Sequence, residues 1–165
     1  MNKWLLLLLI ICCSVVGCTK TNNDVAVEKA QAAIDDKLIA TYLSDNGLTG
    51  IAKKVTDTSG VYYIVLQQGQ GNDLYTSSTQ VTVGDTGRLL TTQKIFTKTN
   101  EFHPSYILGQ VILGWRLGIP KINTGGIIRL LIPSRYAYGP YAQPQLGLPA
   151  NAVLDFDIQL YNVTN

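Results

Sequence analysis

Hydrophobic and polar positions change their period along this chain, and each change marks a new element. An apolar run from Trp4 to Val16 follows Lys3 and ends in Val15-Val16-Gly17-Cys18. A helix needs about 20 apolar residues to cross a bilayer, so the run is too short to span and suits the apolar segment of an export signal. Residues 19–23 are polar and unpatterned, a short tether. From Asp24 to Asp45 the spacing turns helical: Ile34, Leu38, Ile39, Tyr42 and Leu43 share a face, approached by Ala26, Ala30 and Ala33. Asn23 or Asp24 can cap this helix, and Asn46-Gly47 stops it. Leu48 to Ser59 reads as a connector.

Beyond Gly60 the period falls to two. Val61 to Leu66 is β-branched and aromatic, ended by Gly69-Gln70-Gly71, and predicts a strand. Val81 to Leu90 alternates, with Val81, Val83 and Leu89 on one face, and Lys94 to Thr97 is a further short strand. Val111 to Ile119 predicts a short helix stopped by Pro120, and Ile127 to Ile132 a buried strand stopped by Pro133. In the last segment Ala152, Leu154, Phe156, Ile158 and Leu160 alternate with Val153, Asp155, Asp157, Gln159 and Tyr161. One apolar and one mostly polar face suits an antiparallel sheet packed on one side, with Asp155 and Asp157 expected in solvent. The pattern predicts an α+β domain: an antiparallel sheet wrapped around a short central helix on its apolar face, preceded by an N-terminal helix.

Composition then narrows the function. Lys and Arg number 13 against 11 Asp and Glu, a net charge of +2, and no basic stripe appears. Nucleic acid is therefore not an expected partner. The three cysteines are Cys12, Cys13 and Cys18. A Cys directly after Gly, behind a short apolar run, resembles the bacterial lipoprotein box. That resemblance implies a signal peptide over 1–17, lipidation of Cys18, and a tether over 18–23. The N-terminal helix and connector then occupy 24–59 and the sheet domain 60–165. It implies a domain outside the cytoplasm, in the cell envelope, held by its lipid to a bacterial membrane, the outer membrane by expectation. Cys12 and Cys13 would leave with the signal, so no disulfide framework is expected.

Conventional catalytic parts are scarce. His103 is the single histidine and sits before Pro104 in a loop-like stretch. A Cys/His zinc site or a Ser-His-Asp triad has no convincing parts. Gly125-Gly126 is not followed by Lys-Ser/Thr and reads as a turn rather than a phosphate loop. Three other motifs stand out in order: Gly109-Gln110-Val111-Ile112-Leu113-Gly114-Trp115, Ala137-Tyr138-Gly139 and Leu148-Pro149-Ala150-Asn151-Ala152. With Gly125-Gly126 and Ile132-Pro133 between them, the set resembles the FKBP-type peptidyl-prolyl cis-trans isomerases from about Gly60 to Val163. Ser59-Gly60-Val61-Tyr62-Tyr63 is similar to the segment before the domain in membrane-anchored bacterial relatives.

The resemblance implies an isomerase (rotamase) that acts on proline-containing polypeptide clients and assists folding of exported proteins, with no cofactor and no metal. It implies that Trp115 floors a pocket lined by Val111 and Ile112, with Phe96 and Phe156 as walls and Leu148 beside them. The Ile112 backbone N–H and the Tyr138 hydroxyl would hold substrate carbonyls. The chain also departs from the family pattern. Asp85 stands where the family has a Tyr, an ionisable group in an apolar place whose pKa should be raised. Thr97 replaces the Asp of the family's Phe-Asp pair. Pro104 and Ser105 stand where an aromatic is usual, with Tyr106 close by. The loop Pro140 to Pro144 is one residue longer than in common family forms. These departures keep a second reading open, an FKBP-fold binding or chaperone module with little or no isomerase activity. A third is a structural lipoprotein that self-associates through helix 24–45, against which stands packing of that helix on its own domain.

Overall fold

The computed structural model describes residues 22–165. The expected signal segment 1–17 and Cys18 lie outside the described residues. Seven antiparallel strands form one sheet: β1 (Lys53–Lys54), β2 (Tyr62–Gln67), β3 (Gln80–Leu89), β4 (Ile95–Lys98), β5 (Ser105–Ile107), β6 (Ile127–Ile132) and β7 (Leu154–Thr164). Their order is β1-β2-β6-β7-β3-β4, with β5 on β3 as well. Strand β3 pairs along its whole length with β7 and carries β4 and β5 on its other side. Two strands escape the sequence pattern. Strand β1 lies inside the expected connector and is only two residues long, while β5 lies next to Pro104.

One sheet face carries the main core. Val81, Val83, Leu130, Ile132, Leu154, Phe156, Ile158 and Leu160 are buried there against Trp115, Ile119 and Ile122. Helix α2 (Leu113–Gly118) supplies Trp115 and lies on β6. It starts two residues later than the spacing predicts, because Ile112 is extended at φ −56°, ψ 147° and serves as its N-cap. Gly114 and Gly118 let the helix settle on the sheet. A Cβ on Gly114 would stand 2.5 Å from Ile132 Cγ2, and one on Gly118 2.5 Å from Leu130 Cδ1.

The opposite face is covered in part by helix α1 (Asn22–Asp45). Its C-terminal half docks through Asp35, Ile39 and Leu43, at i, i+4 and i+8, and Ile39 and Leu43 join Leu90, Leu131 and Val153 in a second core. The docked stripe is rotated from the expected face: Ile34 and Leu38 are exposed. The cause is Asp35, which finds polar partners on the sheet domain. At the end of α1, Gly47 takes φ +66°, and Leu48 N–H donates to Leu43 O (2.8 Å), closing the helix.

This cover corrects the reading of the outer acids. Asp155 is fully buried, not solvated, and receives Arg129 at both oxygens: Nε to Oδ1 at 2.8 Å and Nη2 to Oδ2 at 2.6 Å. Arg129 Nη2 also donates to the Tyr42 hydroxyl of α1 at 2.6 Å. Asp157 accepts from Arg88 Nη1 at 2.6 Å and stays partly exposed. A buried carboxylate persists only when its oxygens are paired, and the guanidinium fork does that here. Among the described residues no helix is long and apolar enough to cross a membrane.

Candidate functional site

A cavity of about 350 Å³ opens between α2, the sheet and the 138–146 loop. Its base is Trp115, 5% exposed, at the first turn of α2. Phe156 of β7 meets the indole edge-on at 5.2 Å and 84°, and Phe96 of β4 meets Phe156 edge-on at 5.5 Å and 85°. Such pairs each contribute about 0.5–1.5 kcal/mol beyond area burial and fix the ring planes. Gly87 makes room for this wall, since a Cβ there would stand 2.6 Å from Phe156 and 2.7 Å from Phe96.

Val111 and Ile112 line the cavity from the turn before α2. The Ile112 carbonyl accepts from Trp115 N–H (3.0 Å) and Arg116 N–H (3.2 Å), which pins this extended residue to the helix start. Tyr138 enters from the loop after β6. Ser134 organises that loop, its carbonyl accepting from Ala137 N–H at 2.9 Å and Gly139 N–H at 2.8 Å. Gly139 takes φ +60°, a conformation that L side chains rarely adopt, and its carbonyl accepts from Asn151 N–H at 2.9 Å. Asn151, itself at φ 57°, suits that left-handed turn better than most residues. Thus the Ala-Tyr-Gly and Pro-Ala-Asn-Ala motifs are tied to one another by backbone geometry.

Ser134 is held in turn from α1. Asp35 Oδ2 accepts from Ser134 N–H (2.8 Å) and Ser134 Oγ (2.7 Å), and its Oδ1 accepts from Gln31 Nε2 (2.8 Å). Arg135 Nη2 donates to Asp36 Oδ1 (2.9 Å) and Ser59 O (3.0 Å). The N-terminal helix therefore braces the segment that carries Tyr138.

Asp85 lines the same cavity and is 6% exposed. It follows Val81 and Val83 on the buried face of β3, and its N–H donates to Thr99 Oγ1 at 2.8 Å. Burial pushes its carboxyl above the ordinary carboxylate range, as the sequence predicts. Burial and the Asp85 charge together raise the Tyr138 hydroxyl. Tyr106 is raised by burial, then by Asp85 and by Tyr138. Thr97 lines the rim from β4.

Of the expected site residues, Asp85, Phe96, Thr97, Val111, Ile112, Trp115, Tyr138 and Phe156 thus meet in one cavity. Leu148 does not. It is buried in the core, and its backbone pairs with Gln143 on both sides of a short turn. Gly147 at φ +66° swings the chain so that Leu146, not Leu148, reaches the cavity. Tyr106 and Gln110 also line it. Tyr106 meets Trp115 edge-on at 5.9 Å and 85°, so an aromatic is present at this wall although Pro104 and Ser105 are not aromatic. The signal was a tyrosine two residues before Leu108-Gly109. His103 lies elsewhere, stacked on Tyr161 at 3.9 Å and 15°. Among the described residues no cluster of acidic, His and Cys side chains is arranged to hold a metal ion.

A larger groove, about 640 Å³, runs along α1 past Ile34, Leu38 and Leu90. It contains no aromatic box around a polar hydroxyl, and none of the three motifs reaches it. The smaller cavity combines apolar walls with a few convergent polar groups, the usual make-up of a ligand site.

Comparison with known proteins identifies the family. Residues 71–161 match the family model described as FKBP-type peptidyl-prolyl cis-trans isomerase. The chain is 40% identical over 111 residues to FK506-binding protein 1 of Candida glabrata, covering 66% of this chain and 96% of that one. It is 33% identical over 119 residues to the FKBP-type peptidyl-prolyl cis-trans isomerase FkpA of Buchnera aphidicola, covering 72% of this chain but only 45% of that protein. Among solved structures, a peptidyl-prolyl cis-trans isomerase from Pseudomonas syringae superposes with a TM-score of 0.69 at 27% identity, covering 83% of this chain and 96% of that one.

Proposed function

The chain belongs to the FKBP-type peptidyl-prolyl cis-trans isomerases, and from that footing we propose that it isomerises X-Pro bonds in exported polypeptides from a membrane tether. The observation that carries the reading is the aromatic cavity itself, with Trp115 beneath, Phe96 and Phe156 as walls and the Tyr138 hydroxyl at its edge. Rotation about the X-Pro bond faces a barrier of about 18–20 kcal/mol, set by amide resonance. Resonance is lost in the twisted state, which is less polar than the planar amide. A cavity that strips water from the bond therefore favours the twisted state over the hydrated ground state. In this mechanism the proline ring rests over Trp115, between Val111, Ile112 and Phe156. The Ile112 N–H and the Tyr138 hydroxyl donate to the flanking carbonyls and hold the bond in register. Neither group exchanges a proton with the substrate.

The tether rests on the sequence: the apolar run before Gly17-Cys18 supports cleavage there and lipidation of Cys18. Each buried CH2 contributes about 0.8 kcal/mol, so more than one acyl chain is needed for lasting attachment. Attachment near the membrane raises the local concentration of newly exported clients. Asp85 and Thr97 favour one competing reading, a module that holds proline-containing segments with little or no turnover.

A protease-coupled assay on an Ala-Leu-Pro-Phe peptide distinguishes these readings. The full chain in mild detergent should accelerate isomerisation, and Tyr138→Phe and Trp115→Ala should each lose about tenfold or more of kcat/KM. A wild-type rate equal to the uncatalysed one, with binding retained, would sink the isomerase reading in favour of the holding module. Loss of acyl labelling and of membrane association in Cys18→Ser tests the tether separately.

A further inference from the structure

We propose that Asp85 makes the cavity select prolines flanked by a lysine or an arginine. The inference rests on the aromatic cavity being the substrate site, and it goes beyond that reading by naming a substrate class.

The argument starts from charge. Among the residues that line the cavity Asp85 is the one carboxyl, and no Lys, Arg or His lines it. Arg88, Arg129 and Arg135 form their ion pairs with Asp157, Asp155 and Asp36, not with Asp85. Contrast Asp155, equally deep in the sheet, whose two oxygens are matched by the Arg129 fork. Asp155 has a structural partner, while Asp85 faces the open volume of the cavity. Asp85 also borders a second cavity with Thr99, His103 and Asp157, but within the aromatic cavity the groups beside it are the Tyr106 ring from β5, Tyr138 from the loop after β6, and Thr97 and Phe96 from β4. All are neutral, and three are aromatic.

A poorly solvated carboxyl beside aromatic faces is complementary to a cation carried on an apolar stem. A lysine or arginine next to the bound proline brings such a group. Its stem packs along Tyr106 and its charge meets Asp85, with ring faces adding attraction. The pairing also relieves the carboxylate of its desolvation without a competing protein cation. An acidic neighbour of proline meets the opposite field and is disfavoured.

The test compares peptides that differ only beside the proline: Ala-Lys-Pro-Phe, its norleucine analogue, and Ala-Glu-Pro-Phe, together with the corresponding set carrying the residue after the proline. Norleucine keeps the stem length and removes the charge. Wild type should favour a lysine peptide over its norleucine partner by about tenfold in kcat/KM, in at least one of the two positions, as expected for a close charge pair across a partly dry interface. Asp85→Asn should bring that ratio to about one, and Asp85→Glu should restore part of it. The ratio within each variant is read, so an altered fold or rate in Asp85→Asn does not blur the result. A wild-type ratio near one at both positions, or a ratio that Asp85→Asn leaves intact, overturns the proposal. Should no peptide be turned over, the same ratios are read as dissociation constants by fluorescence anisotropy of dye-labelled peptides. Failure of catalysis with a lysine preference in binding then counts against the isomerase reading and for the role of Asp85. Equal binding of lysine and norleucine peptides, or binding of none, counts against Asp85.

Discussion

Removing the Asp35 carboxylate of α1 should loosen the Tyr138 loop through their shared partner, Ser134. Asp35 is fully buried on α1, and its oxygens accept from Ser134 N–H, Ser134 Oγ and Gln31 Nε2 at 2.7–2.8 Å. In Asp35→Ala the two Ser134 donors lose their acceptor in a place where water does not readily replace it. A net hydrogen bond to a charged group contributes about 1.5–3 kcal/mol, and a stranded buried donor costs about 1–3 kcal/mol. The Gln31 contact is less buried and adds little. Two lost bonds therefore predict about 3–5 kcal/mol of destabilisation, against a typical total of about 5–15 kcal/mol. For a chain of this size that is a fall in Tm of roughly 10 °C or more. Urea melts of Asp35→Ala, Ser134→Ala and the double variant give the coupling directly, and about 2 kcal/mol is expected. Because the Ser134 carbonyl also accepts from Ala137 and Gly139, kcat/KM measured well below the melting range should fall several-fold in Asp35→Ala. A destabilisation under 1 kcal/mol, or additive single variants, would refute the idea that α1 braces this loop.

Two more predictions follow from packing and from charge. Gly114→Ala places a methyl 2.5 Å from Ile132 Cγ2, and lifting α2 off β6 should cost about 1–3 kcal/mol in urea melts and lower isomerase activity by displacing Trp115. For Asp85, burial raises the folded-state pKa above the ordinary value of 3.8; the groups beside it in the aromatic cavity, Tyr106, Tyr138 and Thr97, carry no positive charge, and His103 and Asp157 share a second cavity with it. Within the window from about 3.8 up to that raised value the folded chain binds more protons than the unfolded one. The contribution of Asp85 is therefore fully present below the window and lost as pH rises through it. A plot of wild-type minus Asp85→Asn stability should thus fall with rising pH across that window, and a flat or rising difference contradicts the placement of Asp85.

The sheet was legible because its strands keep a period of two over long stretches. Strands β3 and β7 could be read from alternation, β6 from an apolar run stopped by Pro133, and α2 from the segment ending at Pro120. What escaped had little or no periodicity to show. Strand β1 is two residues long, and β5 sits at an edge next to a proline. Asp155 departs further from its local pattern. On its own strand it alternates like a solvent residue. It is buried on the face that α1, distant in sequence, partly covers, where Tyr42 of α1 accepts from the same Arg129 that pairs with Asp155. The same contact explains Ile34 and Leu38. A helical wheel scores them as part of the apolar face, yet the docking stripe begins at Asp35, whose partner Ser134 lies 99 positions away. No local pattern announces a polar residue as the anchor of a helix.

The site shows the complementary limit. Trp115 and Tyr138 lie inside short motifs, whereas the walls Phe96 and Phe156 lie within strands β4 and β7 and were indicated by the family resemblance alone. Leu148 was misplaced because the left-handed Gly147 exchanges it with Leu146, a reversal that hydrophobicity alone does not encode. The two polar departures gain a common meaning only in space. Thr97 lacks a carboxyl and Asp85 supplies one, and both line a single cavity from paired strands β3 and β4. The cavity has therefore not lost its acidic group but carries it on a different strand, beside Tyr138 and Tyr106. A carboxyl on the rim could be satisfied by water. At 6% exposure Asp85 cannot be so readily, and its position is best understood through what a substrate brings. The departure that made the site look weakened in sequence is, in three dimensions, the feature with which it can discriminate among prolines.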